Sequence, residues 1–192
     1  DVDGGIMITG SHNPPTMNGF KVAFGKSTIF GDQIQYIGRL IEEERFVHGK
    51  GSYREYNGIV EDYYGFLRTN IKLEKSFKVV VDAGNGTGGA VAVPILREMG
   101  QKVTELFCDM DGHFPNHFPD PTVEKNLQSL QKTVLSEGAD IGIGYDGDSD
   151  RIGVIDDKGD IIWGDYLMII FAREILKSHR GASFVSEVKC SR

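Results

Sequence analysis

Apolar and polar positions along the chain follow two rhythms. Up to about position 73, short apolar runs alternate with longer amphipathic stretches. The runs at 6–9 and 20–24 predict short strands on either side of a loop at 10–19. Ile34, Ile37 and Ile41 fall on one face at helical spacing and predict a helix over 32–46. Val60, Tyr63, Leu67 and Ile71 predict a second helix over 57–73. Between them, HGKGSYR at 48–54 has the glycine and polar content of a linker.

From position 78 the rhythm becomes strand, helix, strand. KVVVD at 78–82 reads as a buried strand, 88–99 as a helix, 102–107 as a strand and 123–136 as a helix. Two further strands, 141–145 and 152–156, meet at the turn 146–151, and Asp157-Lys158-Gly159-Asp160 closes a hairpin. A helix over 165–177 and a strand over 183–188 open another unit. This alternation predicts an α/β fold of repeated units, each a mixed, mainly parallel sheet with helices on both faces. One partial domain, one whole domain and the start of a third are expected.

Composition adjusts this picture only slightly. The 192 residues are 40% hydrophobic and 26% charged, a balance that can bury a real core. Twenty-eight acidic against 21 basic residues argue against a nucleic-acid surface or an anionic membrane surface. No apolar run approaches the ~20 residues of a membrane span. Cys108 and Cys190 have no near partner in sequence, which fits a reducing compartment. A cytoplasmic protein is expected. The chain has no initiator Met and enters a glycine-rich motif within ten residues, so it reads as a piece of a longer protein.

Three constellations could carry chemistry. The first is Thr9-Gly10-Ser11-His12-Asn13-Pro14-Pro15 with Asn18-Gly19-Phe20-Lys21. A proline-stiffened polar loop presents the Ser11 hydroxyl, and His12 and Lys21 put positive charge beside it, suited to a phosphate ester. The same residues also suit an ordinary capping turn. The second is Asp146-Gly147-Asp148-Ser149-Asp150-Arg151. Three carboxylates at alternate positions repel one another unless a cation joins them, and hard oxygen ligands on a tight loop suit Mg²⁺ or Ca²⁺. Arg151 could hold a phosphate bidentately. An EF-hand would need Gly at its sixth position and Glu at its twelfth; Arg151 and Asp157 stand there. A solvated acidic turn is the plainer alternative. The third, Gly84-Asn85-Gly86-Thr87-Gly88-Gly89, satisfies G-x-G-x-x-G between a strand and a helix, with Glu105 or Asp109 about 20 residues on. It fits either a nucleotide-dependent oxidoreductase or merely a tight strand-to-helix turn.

Together, GIMITGSHNPPTMNGFK (5–21), VVVDAGNGTGG (79–89), FPNHFPDP (114–121), GYDGDSDRIGV (144–154) and VKCSR (188–192) resemble the α-D-phosphohexomutase superfamily, most closely its phosphomannomutase/phosphoglucomutase branch. The resemblance implies that residues 1–57 are the latter part of a first domain bearing the phosphoserine loop. It makes 58–159 a second domain with the metal loop, and 160–192 the start of a third. It also implies a mutase acting on hexose phosphates (mannose, glucose or both) through a hexose 1,6-bisphosphate. Ser11 would be the phosphorylated residue, and Asp146, Asp148 and Asp150 with a phosphoserine oxygen would hold Mg²⁺. Lys21 and Arg151 would stabilise charge on the moving group, His12 or Lys21 would take part in proton transfer, and Lys189 would lie near the ligand. The glycine run becomes a structural turn, and His117 architectural. Ser149 is a mild departure, since many relatives have Gly there. A metal-binding domain without catalysis would explain the aspartates but leaves Ser11 without a role.

Overall fold

A computed structural model describes residues 2–11, 13, 14, 16–188 and 190. The chain begins with a three-stranded sheet of β1 (Gly4–Ile8), β2 (Phe20–Phe24) and β3 (Ser27–Thr28). Its pairings are antiparallel, with Ile8 opposite Phe20 and Met7 opposite Lys21. Helix α1 (Asp32–Glu42) follows and stops short of the expected position 46. Glu44 takes a left-handed φ of 51°, and the Arg45 N–H closes back onto the Leu40 carbonyl at 2.9 Å. That six-to-one bond satisfies a terminal carbonyl and ends the helix.

After α2 (Ile59–Asn70) comes a second sheet, built from β4 (Lys78–Asp82), α3 (Gly88–Glu98), β5 (Lys102–Leu106), α4 (Glu124–Glu137), β6 (Ile141–Tyr145), β7 (Ile152–Asp156) and β8 (Ile161–Ile162). The strand order is β5-β4-β6-β7-β8. β4 runs parallel to β5 and β6, while β6–β7 and β7–β8 are antiparallel. Successive residues of a strand point to opposite faces, and β4 uses both. Val79 and Val81 pack with Val93 of α3, whereas Val80 packs with Leu127, Leu130 and Val134 of α4 and Ile155 of β7. One central strand thus feeds two cores, with a helix over each face. This is the expected α/β layering, and both helices and all strands from 78 to 156 lie within a residue of their predicted bounds.

The packing of α2 onto α3 solves a backbone problem. Pro94 sits inside α3 and lacks the N–H that would bond the carbonyl four residues back, that of Ala90. The buried Tyr64 of α2 donates its hydroxyl to the Val91 and Ala90 carbonyls at 3.1 and 3.4 Å. A side chain from the neighbouring helix takes the place of the missing donor.

Helix α5 (Gly164–Ser178) is the last regular element among the described residues. The strand expected over 183–188 does not form: those residues have no ladder partner among the described residues, and Val185 and Val188 are almost fully exposed. Apolar alternation makes a strand only where a neighbour completes its hydrogen bonds.

Candidate active site

The C-terminal ends of β4 and β6 carry the glycine run and the aspartate turn side by side, and the β1–β2 loop folds over them. The loop is closed at its neck by the Thr9 N–H on the Gly19 carbonyl, 3.0 Å. Inside it, Asn13 N–H bonds the Gly10 carbonyl and Met17 N–H the Pro14 carbonyl, each at 2.9 Å. Ser11 sits at a φ of 51°, a left-handed conformation rarely taken by a residue with a side chain. Its Oγ donates to Asp148 Oδ1 at 3.1 Å and lies 3.4 Å from Asp146 Oδ2. These groups are separated by 137 and 135 positions in sequence.

The three carboxylates of the turn come together as well. Asp146, Asp148 and Asp150 each offer one oxygen within 4.8 Å of the others. Asp146 is fully buried, and its Oδ1 accepts the Arg151 N–H at 3.0 Å. Burial, reinforced by the charges of Asp148 and Asp150, holds its carboxyl above the usual carboxylate range against the pull of the Arg151 amide. Asp148 is also largely buried, which pushes its carboxyl up. Hydrogen bonds from Lys21, Thr9 and Ser11 outweigh that and hold it below its ordinary value.

Lys21 reaches in from β2. Its Nζ lies 3.1 Å from Asp148 Oδ2 and 3.0 Å from Asp150 Oδ2, and those bonds, to Asp150 first, raise its pKa. Arg151 is farther off, its Nε 3.9 Å from Asp146 and 3.8 Å from Asp150. Among the described residues, three carboxylates thus face two cations. The donor set is all oxygen, clustered, partly buried and short of positive charge, which fits a hard divalent cation. His12 and Lys189 lie outside the described residues.

Two contributors escaped the sequence reading. Thr9 Oγ1 accepts the Ser11 N–H at 2.9 Å and donates to Asp148 Oδ2 at 3.0 Å, so one hydroxyl sets both the loop and the carboxylate. Its position two residues before Ser11, typical of a hydroxyl that caps its own turn, was the available signal. Gly147 is the other. A side chain on it would collide with the Ser11 carbonyl, so only glycine lets the two loops meet. Ser149, also left-handed at φ 63°, is held by a 3.2 Å hydrogen bond with Thr87 Oγ1.

The glycine run supports this turn. A Cβ on Gly86 would stand 2.7 Å from the Gly147 carbonyl oxygen, and Thr87 donates to that same oxygen from its N–H and Oγ1 at 3.1 and 3.3 Å. The freedom of these glycines is used in packing against the aspartates, as a structural turn requires. Asn85, Gly86, Thr87, Met110 and Phe114 complete the wall of a cleft of about 390 Å³ that opens on Ser11 and Asp148.

Known proteins carry the same segments. The family described as phosphoglucomutase/phosphomannomutase, alpha/beta/alpha domain II, matches residues 60–159, and that of domain I matches residues 1–48. The chain is 44% identical over 190 residues to a phosphoglucomutase of Neisseria meningitidis, covering 98% of the chain and 41% of that relative. It is 42% identical over 188 residues to the phosphomannomutase/phosphoglucomutase of Pseudomonas aeruginosa, covering 98% of the chain and 40% of the relative. A crystal structure of a phosphoglucomutase/phosphomannomutase family protein from Burkholderia thailandensis superimposes with a TM-score of 0.88 at 44% identity, over 92% of this chain and 38% of that one. The chain therefore spans about two fifths of the length of the curated relatives it matches. On these matches, with a fold to accord, the chain belongs to the phosphoglucomutase/phosphomannomutase family of the α-D-phosphohexomutase superfamily.

Proposed function

We propose that this chain carries the phosphoserine and metal-binding segments of a magnesium-dependent hexose-phosphate mutase, interconverting the 1-phosphate and 6-phosphate of mannose, glucose or both. The observation that carries the reading is the meeting of Ser11 Oγ with Asp148 and Asp146, at 3.1 and 3.4 Å, across 137 and 135 positions of sequence. A solvated acidic turn would give the left-handed Ser11 no role; a phosphoryl carrier beside a metal site gives it one.

In this reading Ser11 bears the phosphoryl group. The bond between phosphorus and Ser11 Oγ breaks, and a bond forms from phosphorus to the free hydroxyl oxygen of a hexose monophosphate. That hydroxyl gives its proton to a base in the cleft, and Ser11 Oγ, the leaving group, takes up a proton to become a free hydroxyl. The hexose 1,6-bisphosphate so made turns over, and its other phosphate returns to Ser11. Such transfers need placement and charge neutralisation more than covalent help. Asp146, Asp148, Asp150 and a phosphoserine oxygen would hold Mg²⁺, which supplies Lewis acidity when bound. Lys21 and Arg151 would stabilise charge on the oxygens of the moving group; their contacts with Asp150 and Asp146 support this reading. His12 or Lys21 would take part in proton transfer, and Lys189 would lie near the ligand, by resemblance.

The division proposed with this function places 1–57 in the first domain, 58–159 in the second and 160–192 at the start of the third. A cytoplasmic location goes with it. No described helix is long and apolar enough to cross a membrane.

The test is mass spectrometry of the natural full-length protein with Mg²⁺, before and after hexose 1,6-bisphosphate, beside Ser11→Ala. One phosphoryl group on Ser11, missing in the variant, is the expected result. A folded, metal-bound protein that never becomes phosphorylated would sink the reading.

A further inference from the structure

Behind the cleft lies a polar pair that the chemistry above does not use. Asp82, at the end of β4, is 1% exposed. His117 Nε2 lies 3.0 and 3.1 Å from its two carboxylate oxygens, and His117 Nδ1 lies 2.9 Å from the Phe118 carbonyl. A carbonyl only accepts, so Nδ1 carries a proton; an ionised carboxylate only accepts, so Nε2 carries another. With Asp82 as a carboxylate, these partners call for an imidazolium with both N–H groups in use. Asp82 Oδ1 also takes the Gly84 N–H at 2.9 Å, and the edge of the ring meets Phe107 at 5.4 Å between centroids.

This pair anchors the far end of a segment, 107–121, whose middle walls the Ser11 cleft with Met110, Asp111, Gly112 and Phe114. The segment is under strain. Phe107 and Phe114 both take left-handed φ values of 50°. Strain of this kind persists only where surrounding contacts over-determine the backbone. A second tie is visible, from Asn116 Nδ2 to Asn85 Oδ1 at 2.7 Å, with Asn85 Nδ2 on the Asp109 carbonyl at 2.9 Å. Beyond His117, Pro119 stands against Gly84 and close to Gly147 of the aspartate turn.

We propose that His117, as an imidazolium bound to Asp82, is a positioning residue for phosphoryl transfer at Ser11: it clamps the strained segment 107–121 against the cleft and, through Pro119, steadies the Asp146 turn. This rests on the reading of Ser11 as phosphoryl carrier. His117 touches no reacting atom and acts through the wall it holds. Among the described residues, Asp82 is the charged group that faces the ring. The Cys108 thiol, which lies in the field of Asp82, is pushed up to about 11, chiefly by burial, and stays neutral. Burial pulls the pKa of the ring down, but the bonds to Asp82 and Phe118 outweigh it and leave the pKa above the ordinary 6.5. The clamp is therefore complete below that ordinary value and is lost as pH rises through the raised one.

Asp82→Asn isolates the charge. Its amide oxygen keeps the Gly84 N–H, its Nδ2 donates to Nε2 of a neutral ring, and Nδ1–H stays on Phe118. One bond to each partner survives without an ion pair, and only the second contact of Nε2, to Oδ1, is given up. In the natural full-length protein, three quantities are measured from about pH 6 to about pH 9, a window spanning histidine titration. They are the rate of Ser11 phosphorylation by hexose 1,6-bisphosphate, backbone hydrogen exchange over 107–121, and the ¹⁵N signals of the His117 ring. Wild type is expected to show two protonated ring nitrogens at the acid end and a rate that falls along an alkaline limb as one proton leaves. Asp82→Asn lacks that limb. His117→Phe loses ~10- to 100-fold in rate at saturating donor, as small misplacements of reacting groups do. Its 107–121 amides exchange faster, while the donor KM changes less. A singly protonated ring throughout overturns the proposal, and so does a His117→Phe protein that phosphorylates at the wild-type rate with the wild-type profile. Should His117→Phe fail to fold, Asp82→Asn decides alone, since a profile keeping the limb overturns the proposal. Wild-type protein left unphosphorylated at Ser11 is a different failure, that of the carrier reading, and takes this proposal with it.

Discussion

Gly147 lies so close to the carbonyl oxygen of Ser11 that no side chain fits between them. The two loops of the site meet backbone to backbone, and Ser11 Oγ reaches Asp148 because of that approach. In Gly147→Ala one loop must withdraw. Forced overpacking costs ~1–3 kcal/mol, so the variant should melt at lower temperature yet remain folded, because both hydrophobic cores lie away from this contact. Its Ser11 phosphorylation should fall much further than its stability. Calorimetry and mass spectrometry on the same sample check both, and a wild-type phosphorylation rate would contradict the role given to Gly147.

Lys21 spans Asp148 and Asp150, the oxygens a divalent ion would claim. An ammonium there offsets part of their repulsion and competes with the ion. Lys21→Met should therefore bind Mn²⁺ or Mg²⁺ several-fold more tightly, a modest factor because exposed ion pairs are worth little. Phosphoryl transfer should fall in the same variant. Titration calorimetry and Mn²⁺ resonance measure the first effect; unchanged metal affinity would show that Lys21 does not compete.

Asp146 gives a dependence on pH and metal with a definite sign. Its folded-state pKa is raised, so ionising it works against folding. The metal-free protein should lose stability as pH rises from the ordinary carboxyl value of 3.8 through the raised one. Metal reverses this, adding about 2.7 kcal/mol at a hundredfold excess over Kd. Asp146→Asn keeps an acceptor for the Arg151 N–H and removes a buried charge. It should match or exceed wild-type stability without metal and gain almost nothing when metal is added. Thermal melts in chelator and in Mg²⁺ separate the two states.

Tyr64→Phe should expose the weakness of α3. The phenylalanine fills the same space but cannot donate to Ala90 and Val91. Losing a hydrogen bond of this kind costs ~0.5–1.5 kcal/mol. Urea denaturation should show a lower midpoint with an unchanged slope, and amide exchange should quicken around Pro94. A midpoint equal to wild type would mean that water or a bent helix satisfies Ala90.

Much of the α/β layer was legible before any coordinates. The strand at 78–82 and the helix at 124–137 announce themselves because apolar periodicity is a local property, read within a dozen residues. The departures share another cause. The helix after Asp32 stops early at a left-handed Glu44, a backbone event that its spacing does not encode. The apolar run at 183–188 forms no strand because a strand is completed by a neighbour. His117 reads as architectural in sequence, and only its contact with Asp82 gives it a charge state and a task.

The sequence by itself determined the periodicities, the two reactive loops and, through five motifs in order, the family. Those are short-range patterns, and each is carried by residues that lie next to one another. Only the tertiary structure decided that Ser11 faces Asp148 and Asp146, that Lys21 spans Asp148 and Asp150, and that Thr9 ties serine to carboxylate. Those partners stand more than 120 positions apart, and nothing in local spacing states which distant groups will share a few ångströms. Packing decides it, here by glycine contacts tight enough to admit a single arrangement.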